Sequence, residues 1–76
     1  MNGFVSIFFA QQSNSKPTTI IAKIAKVKQV KFAYLVTGAV DAIAWVEAQD
    51  SSAFRDVLLD INSVGGVDHT STFVAL

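Results

Sequence analysis

The sequence predicts an α+β sandwich, with four antiparallel strands and two helices packed on one face, and three observations predict it. Short aromatic and β-branched runs, apolar residues recurring at three- and four-residue spacing, and glycine or polar breaks alternate along the chain. Their order is strand, helix, strand, strand, helix, strand. No linker or low-complexity tract divides the 76 residues, so residues 1–76 read as one domain.

The first strand is Phe4-Val5-Ser6-Ile7-Phe8-Phe9, apolar at odd and even positions alike, as expected of a central strand covered on both faces. Ser13 to Lys16 breaks it, and Pro17 suits the first turn of a helix, where its missing N–H has no intrahelical partner to lose. Ile20, Ile21, Ile24 and Val27 then gather on one side of a helix running to about Lys28, with Lys23 and Lys26 on its flank. Phe32 to Thr37 is the second strand, ended by Gly38, the residue best able to take a positive φ. The third strand is Ala42 to Ala48. Asp50, Ser51 and Ser52 offer capping side chains to a second helix marked by Phe54, Val57, Leu58, Ile61 and Val64, and Gly65-Gly66 stops it. The last strand, Val67 to Ala75, is half polar and suits a sheet edge.

This β-α-β-β-α-β order is the doubled split βαβ of the ferredoxin-like fold. Right-handed crossovers put both helices on one face, with the first and third strands central. The other face is left bare, lined by either the Phe4/Phe8 or the Val5/Ile7/Phe9 set. A patch of that kind marks an interaction surface, so the expected working unit is a homodimer joined sheet to sheet, a dimeric α/β barrel, with further assembly through edges and loops. Phe4, Phe8, Trp45 and Phe73 are the expected interface residues.

Composition points the same way: 51% of the residues are hydrophobic and 16% charged, against about 25% charged in an average domain. There is no cysteine, which excludes disulfides, thiolate metal sites and a cysteine nucleophile. The apolar runs fall short of the ~20 residues that cross a bilayer, and the N-terminus lacks the marks of a signal peptide, so the default expectation is cytoplasmic. Charge is uneven: residues 1–40 hold five lysines and no acid, whereas residues 41–76 hold six acids and Arg55. Such a split reads first as a solvated helix face, and the alternative is a surface steered toward nucleic acid or toward the opposite half of another copy.

Two motifs carry a resemblance that covers nearly the whole chain. Val36-Thr37-Gly38 with Asp41, and Gly66-Val67 with Thr70 and Thr72, resemble the C-terminal effector-binding (RAM) domain of the Lrp/AsnC, or feast/famine, transcription regulators. The resemblance implies a sheet-mediated dimer, rings of dimers, and a free amino acid bound between dimers near the glycine loop. Because those regulators place a helix-turn-helix before this domain and the chain starts at Met1, it looks like a stand-alone version that binds no nucleic acid itself and could co-assemble with a full-length regulator. Two positions depart from the family pattern: Val40 stands where a loop tyrosine is usual, and Pro17-Thr18 where Pro-Gly commonly opens the helix.

In the residues themselves, backbone N–H groups near Gly38 could hold a carboxylate and Asp41 an α-amino group, with hydroxyls from Thr70 and Thr72. The expected ligand contacts are Thr37, Gly38, Val40, Asp41, Thr70 and Thr72. The blander alternative is a hairpin turn with edge-strand threonines. His69, the only histidine, should point away from Thr70 and Thr72 and reads as a lone surface histidine, so no metal or other cofactor is implied. Trp45 reads as core or interface before it reads as a stacking platform. An RNA-binding RRM shares the strand order but needs a basic-Gly-aromatic third strand, which Ala42 to Ala48 lacks. No poised nucleophile, acid and base are apparent, so an enzyme is not expected. The open alternatives are a scaffold without ligand and a small dimeric α/β-barrel enzyme.

Overall fold

The computed structural model describes all residues, 1–76. The elements are β1 (Asn2–Phe9), α1 (Pro17–Ala25), β2 (Val30–Leu35), β3 (Ala42–Glu47), α2 (Ser51–Asn62) and β4 (Val67–Val74). All strand pairings are antiparallel, in the order β2-β3-β1-β4. This is the ferredoxin-like fold, with the first and third strands central as the crossover rule requires.

The register decides which side of each strand meets the helices. Val5 and Ile7 of β1 lie level with Ala44 and Ala42 of β3, and all four are fully buried with Val46. Ile20 and Ile24 of α1 and Phe54, Val57 and Ile61 of α2 close over them. Small alanines on β3 let the helices approach the sheet, and the large side chains come from both layers, Val5, Ile7 and Val46 from the strands and Ile20, Ile24 and Ile61 from the helices. Each such aliphatic or aromatic side chain contributes about 1.5–3 kcal/mol when removed from water. Only 12 of 76 residues are buried, none polar, so the core is a single thin layer.

Of the two alternatives for β1, Val5 and Ile7 are the core set, and Phe4 and Phe8 lie on the bare face. One row of that face crosses all four strands: Phe32 pairs with Trp45, Trp45 with Phe4, and Phe4 with Phe73. The next row is Tyr34, Ile43, Ser6 and Ser71.

The helix ends differ from expectation in instructive ways. α1 stops at Ala25 rather than Lys28, because Lys26 and Val27 donate to the carbonyls three residues back (3.2 and 3.0 Å) and Gln29 turns into positive φ at 77°. The chain reversed by that turn enters β2 at Val30, two residues earlier than expected, and leaves it at Leu35. Lys16 is the N-cap of α1 and makes no side-chain cap, since a lysine ammonium has no lone pair to accept with. Asp50 caps α2 as expected, its carboxylate accepting from the Ala53 N–H at 2.8 Å.

Gly66 has φ of +100°, and a Cβ there would collide with the Ile20 side chain. Its carbonyl accepts from the Ala10 N–H at 2.7 Å, tying the exit of β1 to the start of β4. No helix is long and apolar enough to cross a membrane.

Candidate functional site

At the end of the sheet where β1 exits and β3 begins, Phe8, Phe9, Ala10, Gln11, Gln12, Asp41, Asp68 and His69 line an open cleft of about 780 Å3. Asp41 immediately precedes β3 and is fixed from two sides. Its N–H donates to the Ile7 carbonyl at 3.0 Å, and its Oδ2 accepts from the Phe9 N–H at 2.8 Å. The backbone bond sets the strand entry, and the side-chain bond aims the carboxylate at the β1 exit. Oδ1 has no partner in the chain.

The loop from Val36 to Val40 joins β2 to β3 beside this aspartate. The Val36 N–H donates to the Asp41 carbonyl at 3.1 Å, which closes the loop at its base. Within it, the N–H groups of Thr37, Gly38, Ala39 and Val40 make no hydrogen bond to any other residue. Gly38 has φ of +129°, and nothing lies within 4 Å of where its Cβ would be. Thr37 and Gly38 are exposed and Val40 half-buried. Four successive N–H groups in a loop that favours glycine at Gly38 are thus left without a protein partner, and donors of this kind can meet an anion.

β4 supplies the cleft through Asp68 and His69. The His69 ring is stacked on Phe8, its register partner, with centroids 4.3 Å apart and planes 11° from parallel. Its Nδ1 lies 2.6 Å from Asp68 Oδ2, so the imidazole is held by a ring on one side and a carboxylate on the other.

Among the six expected ligand contacts, the fold brings Thr37, Gly38, Val40 and Asp41 together in one loop and puts Asp41 in the cleft. Thr70 and Thr72 lie level with Ile7 and Val5, half-buried on the helix side of β4, outside the cleft lining. Thr70 Oγ1 accepts from the Asn62 side-chain amide at 3.1 Å. His69 sits opposite to them, as its place in the alternation requires, and lines the cleft, a position that the sequence reading does not assign to it. Gln11, Gln12 and Asp68 are further cleft residues outside that reading. The signal for His69 lies in the β1–β4 register, and strand alternation by itself does not contain it.

The expected interface residues Phe4, Phe8, Trp45 and Phe73 all lie on the bare face. The Phe4 and Trp45 rings are 4.6 Å apart, and Trp45 Nε1 donates to Glu47 Oε2 at 2.7 Å. Phe4, Tyr34 and Phe73 remain 46%, 62% and 59% exposed.

No curated protein matches the chain significantly. TTHA0845 from Thermus thermophilus is 32% identical, with a TM-score of 0.85 over 99% of this chain and 91% of that one. The hypothetical protein PHS023 from Pyrococcus horikoshii is 25% identical, with a TM-score of 0.83 over 99% and 88%. AsnC of Escherichia coli shares the fold, with a TM-score of 0.85 at 24% identity over 99% of this chain and 50% of its own length. The Lrp/AsnC ligand binding domain model matches residues 2–76, and on that match across almost every residue the chain belongs to the Lrp/AsnC ligand-binding domain family.

Proposed function

We propose that this protein is an amino-acid-responsive assembly module: copies pair through the bare sheet, and a free amino acid binds at the Gly38–Asp41 end of the sheet, in a seam between neighbouring subunits. Membership of a ligand-binding domain family supports a ligand. The observation that carries the class of ligand is the opposed polarity at this one end, with four unpaired N–H groups in the loop and a carboxylate oxygen without a partner beside it. An α-amino acid presents the complement, a carboxylate for the N–H groups and an ammonium for Asp41 Oδ1. Bonds with one charged partner contribute about 1.5–3 kcal/mol each. The cleft is open to solvent, which fits a site that a second subunit covers.

A thermal-shift and calorimetry screen against the common amino acids tests this reading. A binder of the folded state raises the melting temperature as its concentration rises. A dose-dependent rise with one amino acid or a related group, lost in Asp41→Asn, is the expected result. No shift with any of them favours a scaffold that assembles without a ligand.

A further inference from the structure

The cleft beside Asp41 is rich in acceptors and holds no fixed positive charge. Its two carboxylates are Asp41 and Asp68, and neither Arg55 nor any of the chain's five lysines lines it. Each aspartate has one oxygen engaged, since Oδ2 of Asp41 accepts from the Phe9 N–H at 2.8 Å and Oδ2 of Asp68 lies 2.6 Å from His69 Nδ1. Neither Oδ1 has a partner in the chain. With Nδ1–H donating to Asp68, the imidazole keeps the lone pair of Nε2 to accept with. The other polar side chains of the lining, Gln11 and Gln12, are uncharged. The register spaces these groups across one strand: Phe8 pairs with His69 on β4, and Asp41 precedes Ala42, the β3 partner of Ile7. Asp41 and His69 therefore flank Phe8, their backbones two inter-strand spacings or about 10 Å apart. Between them lies an apolar floor, the Phe8 ring with the imidazole stacked on it at 4.3 Å.

We propose that Phe8, Asp68 and His69 form a distal subsite for a positively charged side chain, so that the ligand is a basic amino acid of the lysine or arginine type. This rests on the amino-acid reading above, which supplies the ligand, whereas the lining of the cleft decides its side chain. With the α-ammonium at Asp41 Oδ1, the methylene stem of a long side chain crosses the Phe8 and His69 rings and its end meets Asp68 Oδ1. A cation is attracted to the ring faces on the way. An anionic side chain would instead face two carboxylates with no lysine or arginine to offset them, and an aliphatic one would cover Asp68 Oδ1 without giving it a hydrogen bond. His69 acts here as a positioning residue, because it holds the Asp68 carboxylate by one oxygen and leaves the other to the ligand.

Isothermal calorimetry on the full chain tests this with L-lysine, L-arginine, L-norleucine, L-leucine and L-glutamate, with folding of each variant checked by circular dichroism. Norleucine keeps the lysine stem and ends in a methyl group, so the ratio of the two affinities isolates the distal charge. Lysine or arginine should bind roughly tenfold or more tightly than norleucine, and glutamate should bind worst. Asp68→Asn, which keeps the shape of the exposed side chain and removes its charge, should bring lysine and norleucine together. Asp41→Asn should weaken both alike, because it acts on the α-ammonium that they share. Norleucine, leucine or glutamate binding as tightly as lysine would overturn the distal subsite and leave the amino-acid reading standing. A lysine preference that survives in Asp68→Asn would remove Asp68 and His69 from the subsite. Binding of none of the five would overturn the subsite and count against the amino-acid reading beneath it.

Discussion

The two carboxylate oxygens of Asp41 are not equivalent, because one has a structural duty and the other has none. Oδ2 receives the Phe9 N–H at 2.8 Å, and an amide in its place can still accept that bond. Asp41→Asn therefore separates shape from charge. It should leave the melting temperature within a few degrees of the parent and weaken amino-acid binding by about 1.5–3 kcal/mol, roughly 10- to 150-fold in Kd, as read by calorimetry. Equal affinity in the variant would remove Asp41 from the site. The loop glycine and this aspartate are readable in the sequence, because a Gly turn beside a carboxylate is a local pattern. His69 is not. Its role depends on β4 pairing with β1 so that it falls beside Phe8, and a register between strands at opposite ends of the chain leaves no mark in either strand alone.

At the scale of elements, the sequence is most legible where one residue does one job. Asp50 is expected to cap α2 and does so, so Asp50→Ala should cost about 1 kcal/mol and lower the melting temperature by about 4–8 °C in a thermal scan. The end of α1 is less legible, since Val27 continues the apolar spacing and nothing before Gln29 announces a stop. The helix ends because the chain must turn back to lay β2 beside β3, a demand of the sheet that overrides local preference. Gly66 shows a third case, in which the residue type is readable and the reason is not. Positive φ and contact with Ile20 act together there, so Gly66→Ala should destabilise by about 2–4 kcal/mol. In a domain with so thin a core, urea denaturation should show a markedly lower midpoint.

At the scale of the whole molecule, the sheet is an asymmetric object. One face is closed by two helices, and the other carries the row Phe32, Trp45, Phe4 and Phe73 with Tyr34 and Ile43 behind it. An eight-residue β1 and four strands in width give this face roughly 26 × 19 Å, on the order of 500 Å2, a size at which a surface patch is often functional. Alternation along the strands makes an apolar face legible, but whether Phe4 or Val5 points into it depends on which side the helices take, and that is settled by the crossovers. Phe4→Asp tests the pairing we propose without touching the helix-side core, because Phe4 is already 46% exposed and its loss leaves Val5 and Ile7 in place. In an isologous pair the change is felt twice. At about 1.5–3 kcal/mol for each buried phenylalanine, the dimer should weaken on the order of 100-fold or more. Sedimentation equilibrium at micromolar concentration should then find a dimer for the parent and a folded monomer for the variant. A parent that sediments as a monomer would show that the aromatic row stays in water, and a seam between subunits could no longer complete the cleft beside Asp41.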